Sequence, residues 1–365
     1  MKRLRPMLCA QLGMWFCLFL AAETGWAVPC ATAMSECTEW IALAGGPART
    51  LVYRNHPLDA KNESVIRGVI VIHGIQRDAD NYFRHALAAA YLASALEDTV
   101  VIAPRFASTD GGNCRDSLAP GELNWNCQLG PDGWFSGGVA IDGSNVASFD
   151  VVDETLRKVA RKEIFPNLRV IVVTGHSAGG QFVTRYVMVN EVHDRLSVPV
   201  RYVVANPSSY AYLDMQRPTS SAVPQTVAAG PPGYTLPPSA NPPAPFGAFA
   251  DARNCKAYDD WPYGLQKRTG SSARLADDAL RRQLAARPTT YLLGELDILP
   301  LYGFDASCSA MAQGPTRLAR GLGFGKYVNE KYGARHKTVI VSACGHNARC
   351  MFTADSALPL IFPKE

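Results

Sequence analysis

A serine stands between two glycines in Gly175-His176-Ser177-Ala178-Gly179, and that spacing makes Ser177 a candidate nucleophile. A hydroxyl attacks poorly near neutral pH. It needs a base to take its proton and fixed dipoles to receive the charge that develops on the attacked carbonyl. The β-branched run Val170-Ile171-Val172-Val173 leads into the motif, and the segment from Gln181 to Val187 reads as helix. The serine therefore falls on a strand–turn–helix corner, so tight that a Cβ on either side would collide with the neighbouring strand or helix. The spacing predicts Ser177 at the C-terminal edge of a sheet, above a helix N-terminus whose unpaired N–H groups attract an oxyanion.

The base must come from another loop at the same edge, directly after a strand. Of the seven histidines, His346 fits, in Ala343-Cys344-Gly345-His346-Asn347 just past Val339-Ile340-Val341. His336 precedes that strand and belongs at the opposite edge, while His176 lies inside the turn. The imidazole needs a carboxylate to hold its tautomer and to stabilise the imidazolium. Asp297, in Gly294-x-x-Asp297-x-x-Pro300, follows a strand and precedes His346, giving the chain order Ser, acid, His. Glu295 is the alternative acid in the same turn. The oxyanion donors are expected at the backbone N–H of Ala178 and of Ile75, which follows His73-Gly74 at the end of Val69-Ile70-Val71-Ile72. Gln76 is the substitute for Ile75, through its N–H or its amide, and His73 reads as a structural hydrogen-bonding group. Trp125 and Trp134 are candidates for lining an acyl or aryl pocket, as is the aromatic cluster Tyr258 to Tyr263.

The elements needed to position these groups are legible. Strands are predicted over Val65–Ile72, Thr99–Pro104, Leu168–Val173, Val200–Ala205, Thr289–Leu293 and Lys337–Ser342. Helices are predicted over Val151–Ile164, Asp277–Ala286, Arg317–Tyr332 and Ala348–Leu358. Near-continuously apolar strands spaced by helices predict an α/β fold, with a mostly parallel central sheet covered on both faces. A Pro-rich insertion runs from Arg217 to Phe246, and its prolines predict an extended surface piece, either a lid or a plain exposed loop.

Lys2, Arg3 and Arg5 precede an apolar run from Met7 to Ala22, followed by Gly25-Trp26-Ala27. This is the layout of a signal peptide cleaved near Ala27. The expected mature domain is 28–365, secreted or periplasmic, without stable membrane insertion. Eight further cysteines form an even set, which behind such a leader argues for disulfides. Neighbour pairing gives Cys30–Cys37, Cys114–Cys127, Cys255–Cys308 and Cys344–Cys350, with free buried thiols as the rival reading. No Cys-x-x-Cys or His-x-x-x-His spacing exists, so neither a metal nor a cofactor is expected. A formal net charge of +4 gives no reason to expect nucleic acid as a partner.

The set His73-Gly74, Gly175-His176-Ser177-Ala178-Gly179, Gly294-x-x-Asp297 and Gly345-His346 resembles the α/β-hydrolase superfamily. Within it, the chain looks most like secreted esterases of the polyhydroxyalkanoate-depolymerase and feruloyl-esterase kind. That resemblance implies a Ser177–His346–Asp297 triad and a covalent acyl-enzyme, but no particular substrate; the expected partner is a small-molecule or polymeric ester. A peptidase or amidase with the same triad, and a non-catalytic binding module on the same fold, are the competing expectations.

Overall fold

The computed structural model describes residues 29–43, 45–219, 245–301 and 303–364. The leader expected over 1–27 lies outside them, as does most of the Pro-rich insertion.

Eight strands make one sheet: β1 (Thr38–Ala42), β2 (Arg49–Arg54), β3 (Arg67–Ile72), β4 (Thr99–Pro104), β5 (Val170–His176), β6 (Val200–Ala205), β9 (Thr289–Gly294) and β10 (Lys337–Val341). Their order is β1-β2-β4-β3-β5-β6-β9-β10. From β4 to β10 every pairing is parallel, while β1 and β2 add an antiparallel edge. A separate two-stranded ribbon, β7 (Gln216–Pro218) with β8 (Phe246–Ala248), closes the base of the Pro-rich insertion. The surface-lying expectation fails at one point there. Arg217 is fully buried, stacked on Tyr212 and Tyr258 and bonded to Asp259, so this end of the insertion is anchored in the body of the protein.

Burial of both sheet faces follows from alternation along the strands. In β3, Ile70 and Ile72 face one core with Val173 and Val204, and Val69 and Val71 face the other with Val101 and Val172. Helices α2 (Ser148–Val159), α3 (Ala178–Val189), α4 (Asp277–Ala286) and α6 (Arg317–Tyr332) contribute to the first core. Helices α1 (Ala79–Leu92), α7 (Ala348–Thr353) and α8 (Leu358–Ile361) contribute to the second. The short α5 (Cys308–Met311) lies beside the Cys255–Cys308 bridge.

Several boundaries moved. The helix expected over Ala348–Leu358 is two helices, because Pro359 has no N–H to donate to Asp355 and is tolerated only in a first turn. The helix expected over Val151–Ile164 is shifted to Ser148–Val159, and its start is fixed by Asp150 accepting the Ala147 N–H at 2.9 Å. All eight cysteines stand as the four neighbouring pairs, with Cα–Cα separations of 5.8 to 6.4 Å.

Register delivers the candidate residues to one rim. Ile72 pairs with Gly175, His176 with Ala205, and Gly294 with Val341. The segments that follow, carrying Ile75, Ser177, Asn206, Asp297 and His346, therefore leave the sheet at the same C-terminal edge.

Candidate active site

At the serine corner the backbone leaves no room for side chains. A Cβ on Gly175 would sit 2.5 Å from the Gly179 carbonyl oxygen. One on Gly179 would sit 2.2 Å from the Ile72 oxygen, and one on Gly180 2.4 Å from the Ala205 oxygen. Ser177 itself is held at φ 60°, ψ −120°, a conformation that a non-glycine residue keeps only when its surroundings enforce it. Its N–H donates to the Ala205 carbonyl and its carbonyl accepts from Gln181, which closes the first turn of α3. Ala178 opens that helix, where an N–H has no intrahelical acceptor.

Ser177 Oγ lies 2.9 Å from His346 Nε2, and His346 Nδ1 lies 2.8 Å from Asp297 Oδ2. For Ser177 to donate, His346 must be the neutral Nδ1–H tautomer, with that proton bonded to the carboxylate. Asp297 is buried; its second oxygen accepts a bond of 3.3 Å from Arg317, and its backbone carbonyl accepts the Leu318 N–H at the start of α6. Glu295 is directed elsewhere, accepting the Ala343 N–H at 2.9 Å.

The loop carrying His346 is tied down from three sides. Asn206 accepts the Gly294 N–H at 2.7 Å and donates to the Gly345 carbonyl at 3.2 Å, so one amide joins the acid and base loops. Glu295 holds Ala343, which sits at φ 57°, and the Cys344–Cys350 bridge spans His346. Asn206 itself has φ 44°, a region that asparagine tolerates better than most residues.

The loop after β3 is shaped by His73, which is fully buried. Its Nδ1–H donates to the Gly74 carbonyl at 2.9 Å and its Nε2 accepts the Phe106 N–H at 3.0 Å. Burial pushes its pKa down to about 4, with the Arg77 cation adding to the effect against the opposing bond to Gly74. The Gly74 carbonyl also accepts the Arg77 N–H. A trans peptide is planar, so fixing that carbonyl inward turns the Ile75 N–H the opposite way. A Cβ on Gly74 would stand 3.8 Å from Ser177 Cβ, which places this peptide beside the serine. Ile75, Gln76 and Arg77 then border an open cleft of about 400 Å³ that continues to Cys114, Cys127 and Gln128.

His176 packs against His346 with ring centroids 4.6 Å apart, and its Nδ1 meets the Tyr82 hydroxyl at 3.2 Å. Burial, then the neighbouring His346 and Arg317, holds its pKa well below the usual imidazole range. His336 is remote from this rim, bonded to Tyr291 and the Leu284 carbonyl.

The aromatic expectations need correction. Trp125 and Trp134 are fully buried around Phe106, with the Trp134 ring stacked on it at 5.1 Å. They fill the core and offer no face to a substrate. Tyr258 and Trp261 are likewise packing groups, the latter donating to the Ser136 carbonyl. Two residues that matter for the site's geometry, Asn206 and Arg317, escaped sequence reading. Arg317 did leave a signal: it is the first residue of α6, after the Thr316 cap, where the helix dipole disfavours a cation. Among the described residues, no group of three or more His, Cys, Asp or Glu side chains could hold a metal ion, and no helix is long and apolar enough to cross a membrane.

Sheet order, the corner carrying Ser177 and the convergence of the three loops define an α/β hydrolase. A model of the alpha/beta hydrolase family matches residues 69–358, and the chain belongs to that family. Among solved structures it is similar to poly(aspartic acid) hydrolase-1 from Sphingomonas sp. KT-1, at 22% identity and a TM-score of 0.55, over 86% of this chain and 94% of the other. It is also similar to LpqC, a poly(3-hydroxybutyrate) depolymerase from Bordetella parapertussis, at 19% identity and a TM-score of 0.55, over 87% and 85%. Identities this low speak for a shared fold. No curated protein matches the chain.

Proposed function

We propose that this hydrolase is an exported serine esterase that cleaves carboxylic esters through Ser177, His346 and Asp297. The observation that carries the reading is the unbroken hydrogen-bond chain from Ser177 Oγ through His346 to Asp297, at 2.9 and 2.8 Å. His346 Nε2 takes the Ser177 proton as Oγ attacks the ester carbonyl carbon. The N–H groups of Ala178 and Ile75 receive the oxyanion, worth about 10²–10³ in rate per donor. The imidazolium, stabilised by Asp297, then protonates the departing alcohol and leaves an acyl-enzyme on Ser177. A water activated by the same imidazole releases the acid. Four disulfides favour an oxidising compartment and so support export.

The test is a panel of p-nitrophenyl esters and matched amides, run with the wild type and with Ser177→Ala. The reading expects ester turnover that falls by about 10⁴-fold or more in the variant. Equal turnover by the two proteins would end it. Preference for amides would move the chain to the amidase alternative.

A further inference from the structure

We propose that Arg317 is a positioning residue for the acid–base pair: it fixes the orientation of the Asp297 carboxylate and sets the basicity of His346 through it. Three observations converge. Arg317 Nη1 donates to Asp297 Oδ1 while His346 Nδ1 engages Oδ2, so the two partners divide the carboxylate and define its plane. Both side chains of the ion pair are out of solvent, at 0% and 1% exposure, so their attraction is weakly screened. The guanidinium is itself fixed, with Nε donating to Ser208 Oγ at 2.7 Å and its plane lying over the Phe304 ring. Its remaining nitrogen, Nη2, is buried with no hydrogen-bond partner among the described residues, and among them Asp297 is the one carboxylate that Arg317 pairs with, through Nη1.

A cation on the far side of the carboxylate draws on the same negative charge that stabilises the imidazolium. Taking that cation away is therefore expected to strengthen the hold of the carboxylate on the imidazolium. The other groups around His346 leave that role to Arg317. From the acid loop, Glu295 is committed to the Ala343 N–H. From the serine corner, His176 is kept neutral by burial, with Tyr82 and His85 of α1 behind it. Arg349 of α7 acts on His85. Asp305 accepts from Tyr263 and Ser307, beside Arg320.

The inference rests on the esterase reading for its kinetic arm only. The acidic limb of kcat/KM and the titration of the His346 ring by NMR are compared in wild type, Arg317→Gln and Arg317→Lys. Arg317→Gln is expected to raise both midpoints by about half to one pH unit and to lower kcat by about ten- to a hundredfold. Arg317→Lys retains the charge and is expected to leave the midpoints in place while kcat falls. In the wild type, the Arg317 guanidinium protons are expected to shift with the His346 midpoint, a readout that survives if the glutamine variant does not fold. Identical ring midpoints in wild type and Arg317→Gln, or guanidinium signals that stay flat through the His346 titration, overturn the proposal. A chain whose Ser177→Ala form hydrolyses esters as well as wild type loses the esterase reading, while the ring titration still judges Arg317.

Discussion

The two halves of the site are built on opposite principles. The serine corner is held by exclusion: three glycines at positions 175, 179 and 180 lie so close to carbonyl oxygens that any side chain would overlap them. The acid–base corner is held by attachment: Asn206, Glu295, Arg317 and the Cys344–Cys350 bridge tie two loops that have no regular structure of their own at His346 and Asp297. The difference teaches that excluded space can be read from residue types, because only glycine satisfies it, whereas attachment depends on which distant side chains meet.

That contrast can be broken most violently at Gly179. Gly179→Ala puts a methyl group 2.2 Å from the Ile72 oxygen, and neither backbone can retreat without moving the central strands. Loss of soluble folded protein, or a destabilisation of about 3 kcal/mol or more by denaturant titration, is expected. A variant as stable as the wild type would show the corner to be looser than described. The attachment side should instead lose rate before stability. Asn206→Gly keeps the positive φ but cuts both loop ties, and a kcat loss of about a hundredfold with KM little changed is expected. Asn206→Asp keeps the acceptor for Gly294 and should fall between. If both variants matched wild type, Asn206 would have no part in holding the loops together.

Replacing Cys344 and Cys350 together by serine removes a short cross-link. About 2 kcal/mol of stability should go, with a kcat fall of about tenfold read on a p-nitrophenyl ester. The last expectation concerns pH. Burial lowers the folded-state pKa of His56 and His73 to about 4, below the usual 6.5 of an unfolded chain, so these groups stay neutral when folded. Their contribution is fully present above pH 6.5 and is lost as pH falls from 6.5 toward 4, by at most about 3 kcal/mol for each. Asp153, whose pKa burial raises to about 6, opposes this by taking a proton first in the folded state. The net expectation is a lower unfolding midpoint at pH 5 than at pH 7, with a shallower fall in His73→Gln. A midpoint independent of pH across that range would contradict the neutral assignment.

How far the sequence could be read follows the same division. Strands β4 and β6 and helices α4 and α6 have the limits expected from their residues, because turns or proline bound their apolar patterns sharply. The antiparallel edge β1–β2 was not anticipated, since its half-exposed strands mix charged and apolar residues with no long run to mark them. Helix α1 escaped as well: its alanines carry little periodic contrast, yet seven of its residues are buried. The positions of Ser177, Asp297 and His346 on loops after strands were legible because chain order and strand ends locate them. The aromatics at 125 and 134 misled because composition cannot tell a ring that lines a cleft from one that fills a core. Asn206 could not be found at all, as its role exists only once β6, β9 and the His346 loop are adjacent.

The most direct test of the account is labelling of the intact, folded protein with a fluorophosphonate, followed by peptide mapping, in the wild type and in His346→Gln. The account predicts one label per wild-type chain, on Ser177, and labelling at least about a hundredfold slower when the imidazole is gone. A folded wild type that takes no label, or takes it on another serine, would contradict the claim that these three loops make one reactive centre.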